Sequence, residues 1–237
     1  MKKQRRVQLA CLAVAISGTI TSGLAFSQAP QVKIPETGVS QIATIEGQYV
    51  RVAYNNEGYI SLGYRVANNS IGEDWMLLEI GATVRDGTPA YKLKREAFSL
   101  DTPSGANVPL PTNAEYRQAD LRALEQRSTV VRDSINYFPP MASNACRIGF
   151  FAPIESRAMP FDEVELSNTR GCLGRLYFKV PGGIQHGQYF LNAKFEKSLI
   201  RVPFRIFTEE EKKTMSKYYG DIRKQVQEAF KPKKKGS

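Results

Sequence analysis

The stretch GCLGRLYFKVPGGIQHGQYFLNAKFEKSLIRVPFRIF, residues 171–207, decides the fold class. Leu176, Phe178 and Val180 alternate with Tyr177 and Lys179, the period-two pattern of a strand with one buried face. Pro181-Gly182-Gly183 stops that strand: proline has no N–H for a ladder, and glycine accepts the positive φ of a turn. A second strand follows from Tyr189 to Phe195, with Tyr189, Leu191, Ala193 and Phe195 on one side. After the polar turn Glu196-Lys197-Ser198, Ile200, Val202, Phe204 and Ile206 form a third apolar face, opposed by Arg201, Pro203 and Arg205. Pro203 places this last strand at an edge or a bulge. Three sequential strands with short links predict an antiparallel meander, whose apolar face needs a second layer over it.

Upstream, the same pattern recurs. Ile42 to Ile45, Gln48 to Tyr54 and Tyr59 to Ala67 read as strands, the last two as a hairpin around Asn55-Asn56-Glu57-Gly58. Trp75 to Val84 is the most apolar run, with both faces hydrophobic, so it reads as a central, doubly covered strand. Tyr91 to Leu100 and Val108 to Pro111 read as extended, and Arg147 to Ala152 and Glu163 to Leu166 as short strands. Thr112-Asn113-Ala114-Glu115 fits a capping box, and the residues after it predict a surface helix inserted near 113–126.

The chain ends in a different pattern. Thr208 and Glu211 form a second capping box. Met215, Tyr218, Tyr219, Ile222, Val226 and Phe230 then recur at spacings of three and four. This predicts an amphipathic helix over 208–230, about 22 residues and roughly 33 Å long. Residues 231–237 are too polar to fold and read as a disordered basic tail.

Charge sits at the two ends. Of the formal +10, four charges belong to Lys2, Lys3, Arg5 and Arg6, and four to Lys231, Lys233, Lys234 and Lys235, which leaves the body at +2. A nearly balanced body gives no basis for a nucleic-acid surface. Met1 to Arg6, the apolar run Val7 to Ile16 and the small-x-small site Ala25-Phe26-Ser27 predict a signal peptide over 1–27. An uncleaved anchor over Val7 to Phe26 is the competing reading. Residues 28–39, with Pro30 and Pro35, read as an extended lead-in to a domain over 40–207. Export leaves Cys146 and Cys172 as the only cysteines of the mature chain, and an even count in an oxidising compartment predicts one disulfide.

No catalytic constellation stands out. The single histidine, His186, lies beside Gly187 in a turn, with no nucleophile motif near it. Two distant cysteines and one histidine do not make a metal site, and the glycines open no phosphate-binding helix, so no cofactor is expected. The strand tyrosines suit half-buried sheet positions.

GRLYFKVPGG at Gly174 to Gly183, followed by QYFL at Gln188 to Leu191, resembles the late-strand hairpin of exported bacterial immunoglobulin-like sandwich domains. YRVANNS at Tyr64 to Ser70 is similar to their early strand, which ends in an Asn-Ser turn. The inserted helix and the long terminal helix depart from that pattern. The resemblance implies an antiparallel immunoglobulin-like β-sandwich that binds or presents partners, and the fold hosts many functions. The expected function is a non-enzymatic interaction or scaffold module, periplasmic or extracellular. Its protein partner would meet a sheet edge or the terminal-helix face of Met215, Tyr219, Ile222 and Val226. The alternative is an envelope- or membrane-surface-binding protein that uses Lys231, Lys233, Lys234 and Lys235 against an anionic surface. A hydrolase built on two carboxylates that meet in space is the third reading.

Overall fold

The computed structural model describes residues 41–153 and 158–229. The expected signal peptide, the lead-in over 28–39 and the tail over 231–237 lie outside them. Strands β1 (Ile42–Gly47), β2 (Val50–Tyr54) and β3 (Gly58–Gly63) come first, then a short helix α1 (Arg65–Asn68) and β4 (Trp75–Val84). Next are β5 (Tyr91–Lys94), β6 (Phe98–Asp101) and β7 (Asn107–Pro109), followed by helices α2 (Asn113–Gln118) and α3 (Arg122–Val130). The chain closes with β8 (Asn144–Ile148), β9 (Glu163–Leu166), β10 (Arg170–Lys179), β11 (Gly187–Lys194), β12 (Leu199–Ile206) and α4 (Glu209–Ala229). The fold is mainly β, with antiparallel-rich sheets.

Six strands form one sheet in the order β1-β2-β3-β4-β10-β8, and four form another in the order β12-β11-β6-β7. β5 and β9 pair by themselves. All pairings are antiparallel except β8 with β10. The inner face of the six-stranded sheet carries Ile60, Leu62, Met76, Leu78, Ile80, Leu176 and Phe178, all fully buried. Facing it are Phe98, Leu100, Leu191, Ala193, Ile200, Val202 and Phe204 of the four-stranded sheet, joined in one core. The alternation read over 171–207 is therefore right about faces, and β4 is indeed central and buried on both sides.

The meander is not. β10 belongs to the six-stranded sheet and β11 to the other, so Pro181-Gly182-Gly183 closes no hairpin. The backbone of this link pairs instead with the segment before β4: Val180 N–H donates to Asp74 O, Ile184 N–H to Glu73 O, and Gly72 N–H to Ile184 O. Gly182 and Gly183 take φ near 77° and 79° to make the crossing. Likewise, Tyr91 to Leu100 is not one strand. A 3-10 turn at Arg95–Ala97 sends β5 to β9 and β6 to β11.

Two further boundaries differ for tertiary reasons. The strand expected to run to Ala67 stops at Gly63, and YRVANNS contains α1. The Asp133 carboxylate accepts the Arg65 N–H at 3.0 Å, capping that helix from 68 residues away. The inserted helix is two helices, although its capping box at Thr112 and Glu115 forms as read. Tyr116 and Leu121 are both buried. Five positions on a continuous helix would set them about 140° apart. The break at Ala119–Leu121 turns both onto the sheet.

The two helices and an irregular strap over 131–142 form a third layer on the outer face of the six-stranded sheet. Glycines let the strap lie close. A Cβ on Gly63 would stand 2.9 Å from Ile135, and one on Gly171 would stand 2.8 Å from the Phe138 ring.

Pro203 marks an edge as expected, since β12 is the outer strand of its sheet. Side-chain amides close that edge. The Gln41 amide accepts from Arg201 N–H at 2.9 Å and donates to Arg201 O at 2.6 Å. The Asn68 amide donates to Arg205 O at 3.1 Å and accepts from Phe207 N–H at 2.8 Å. Pro203, between them, has no N–H to offer. These contacts replace a neighbouring strand. Asn68→Ala is expected to cost about 2 kcal/mol in urea unfolding, because it leaves the buried Phe207 N–H without an acceptor. An unchanged urea midpoint would show that the Asn68 contacts contribute nothing.

Candidate functional site

Polar residues gather where the third layer ends. Register sets Arg147 of β8 beside Leu173 of β10, and Leu173 beside Gly81 of β4. Two positions along, Arg175 faces Glu79, and then Tyr177 faces Leu77. All these point to the outer face, toward α3 and the strap.

Glu79 is the one charge in β4, and its side chain is 6% exposed. A buried carboxylate needs donors. The Asp133 N–H supplies one at 3.0 Å, and Arg132 Nε lies 3.5 Å away. Asp133 itself is 2% exposed at its side chain and is held by Arg65 through Nε at 2.8 Å. Burial pushes the Asp133 carboxyl above the usual carboxylate range, and the Arg65 hydrogen bond and charge oppose that rise.

Glu125 of α3 closes the floor. Tyr177 Oη donates to it in a short hydrogen bond, Tyr116 Oη donates at 3.3 Å, and Arg175 donates from a guanidinium nitrogen at 2.9 Å. Burial, then the Glu125 charge, raises the Tyr177 hydroxyl far above the ordinary phenol value, and the same causes push Tyr116 up to about 12. Both hydroxyls therefore stay protonated as donors. The Tyr116, Phe151 and Tyr177 rings pack with centroids 4.8 to 5.3 Å apart, and Arg95 lies over Phe151 at 5.1 Å.

Above this floor is an open cleft of about 410 Å³. Ile135, Ile148, Phe151 and Leu173 form its apolar walls, and Arg132 and Arg147 also line it. Three carboxylates, Glu79, Glu125 and Asp133, line it. Each is held by an arginine: Arg132 with Glu79, Arg65 with Asp133, and Arg175 with Glu125.

The residues singled out from the sequence lie elsewhere. Cys146 and Cys172 face each other in register across β8 and β10 and are joined as a disulfide. His186 is exposed in the link between β10 and β11, and the described residues contain no His, Cys, Asp or Glu cluster able to hold a metal. No described helix is long and apolar enough to cross a membrane. Lys231, Lys233, Lys234 and Lys235 lie outside the described residues.

On α4, Thr208 and Glu211 cap each other as read, and Arg205 grips Glu211 at 2.9 Å. That hydrogen bond, with the Thr208 N–H, holds the Glu211 carboxyl below its usual range. Met215 packs against the core, Ser216 accepts from Gln48 at 3.3 Å, and Tyr219 is half-buried. Tyr218 is 59% exposed and Ile222 37%. Residues 220–225 are all exposed, and Val226 falls in the last turns of the helix.

The cleft residues escape a linear reading because they come from β4, α2, α3, the strap, β8 and β10, segments far apart in the chain. One signal was available: Glu79 alone breaks the apolar run WMLLEIGATV, and a charge in a doubly covered strand implies partners. No protein-family model, curated protein or solved structure matches the chain.

Proposed function

We propose that the protein is an exported, non-enzymatic interaction module of the cell envelope that holds a protein partner through the outer half of α4. The observation that carries this reading is the division of α4. Its first turns are fixed to the body by Glu211, Met215 and Tyr219, whereas residues 220–225 extend exposed and present Ile222. A helix anchored at one end presents its far end rigidly, which limits the entropy lost on binding. The partner that fits is an apolar groove rimmed by acids, because Arg223 and Lys224 follow Ile222, against the one acid Asp221 before it, and the sequence continues to Lys231, Lys233, Lys234 and Lys235.

Two further parts of the proposal rest on other observations. The facing sheets are read as an immunoglobulin-like sandwich, supported by their shared core and by the crossing of the chain from β10 to β11. The Cys146–Cys172 bond favours an oxidising compartment, in line with a cleaved signal peptide. Of the sheet edges that the other binding route would use, the β12 edge is already occupied by Gln41 and Asn68.

The test treats the envelope with a general crosslinker and recovers adducts of the full-length chain by affinity pull-down. Ile222→Asp and a chain ending at Phe207 serve as comparisons. A protein adduct mapping to an acid-rimmed apolar segment, with recovery reduced at least about tenfold by Ile222→Asp, is the expected result. Equal recovery of one partner by all three forms moves the site to the sheets. Adducts to lipid or wall polymer alone favour the peripheral-binding alternative of the Lys-rich tail.

A further inference from the structure

We infer that the cleft bounded by α3, the strap over 131–142 and the outer face of β8 and β10 binds a small organic carboxylate with a short apolar or aromatic body, its carboxylate resting on Arg147. The inference is independent of α4.

Pairing inside the cleft decides the charge of the ligand. Glu79, Glu125 and Asp133 are each matched by an arginine, as described above. Arg147 has no carboxylate partner among the described residues, yet it lines the cleft and stands exposed at its mouth. One unmatched guanidinium calls for one negative charge. Its planar fork fits the two oxygens of a carboxylate with parallel hydrogen bonds. A phosphate monoester carries nearly two charges, and three carboxylates in the wall would oppose the second. A cationic ligand would meet Arg147 and Arg132 first.

The walls decide the body. The polar atoms of the floor are committed to one another, since Tyr116, Tyr177 and Arg175 all donate to Glu125. The apolar lining is Leu173, partly exposed, with Ile135, Ile148 and Phe151 behind it at 3 to 7% exposure, and the exposed Ser134 and Asn136 stand at the strap side. An acyl or aryl group loses nothing and covers the apolar wall. A cleft of about 410 Å³ lies within the size range of small-molecule sites. Leu173 directly neighbours Arg147 in register, so apolar wall and cation stand side by side, as head and body of such an acid require.

The probes are benzoate, its neutral counterpart benzamide, and phenyl phosphate, titrated into full-length protein and followed by NMR shifts. Benzoate is expected to bind with millimolar affinity, to shift Ile148, Phe151 and Leu173, and to bind about tenfold more tightly than benzamide. Arg147→Gln, a change at an exposed side chain, is expected to remove that tenfold preference and leave benzamide unaffected. Equal affinity of benzoate and benzamide overturns the proposal. So does benzoate binding that Arg147→Gln leaves unchanged, or the absence of any shift in the cleft up to the solubility of benzoate. Tighter binding of phenyl phosphate overturns the carboxylate assignment.

Discussion

Cys146→Ser combined with Cys172→Ser is expected to lower the unfolding free energy of the oxidised protein by about 3 kcal/mol. The two residues are separated by 26 positions, and cutting the cross-link frees that loop in the unfolded chain. The loss falls unevenly over the fold. β8 is an edge strand whose one ladder in its sheet is the parallel pairing to β10, and the disulfide is a second tie to that strand. In the serine variant, amide exchange is therefore expected to speed up first over 144–148 while β4 stays protected. Urea unfolding with and without reductant checks the magnitude. A serine variant with the same midpoint as oxidised native protein would mean that the bond adds no stability. Arg147 travels with β8, so benzoate binding should weaken along with it.

Gly81→Val is expected to be about as damaging, at roughly 3 kcal/mol. Gly81 lies in the middle of β4, and a Cβ there would stand 2.7 Å from the Phe138 ring as well as against the Ser61 hydroxyl. Ser61 cannot move freely, because it donates to Ile135 O at 2.8 Å and thereby holds the strap. Valine must therefore lift the strap, and the Ile135 wall of the cleft with it. A double-mutant cycle separates this from a general weakening of the strand. Phe138→Ala should recover part of the Gly81→Val loss, since it removes the ring that the new side chain meets. If the two losses simply add, the strap does not lie where these distances place it.

What the sequence revealed follows period and composition. The alternation from Tyr189 to Ile206 correctly named the buried side chains of β11 and β12, and Pro203 correctly implied an edge. The unbroken apolar run of β4 implied burial on both faces. Such features are local, and each strand carries its own evidence. The misread features depend on distant partners. The turn at Pro181-Gly182-Gly183 looks the same whether it closes a hairpin or crosses between sheets, and the difference lies in its hydrogen bonds to residues 72–74. α1 begins where it does because Asp133 caps it. The cleft was invisible for the same reason: Glu79, Tyr116, Glu125, Arg147 and Arg175 form no spacing pattern and meet only through the stacking of layers. The terminal helix lay between these cases. Its cap and stripe were legible, but which part of the stripe the body covers was not.

The amide contacts along β12 also bear on the order of folding. Gln41 reaches Arg201 across 160 positions, and Asn68 reaches Phe207 across 139. Contacts of such span form late, because a long loop must close before they repay its entropy. During synthesis, residues 41 and 68 emerge well before their partners. Until residue 207 has emerged and docked, the four-stranded sheet keeps a bare strand edge open to any neighbouring chain. The last strand is thus the lock of the body, and the interval before it closes is when a chaperone or a protease competes for the molecule.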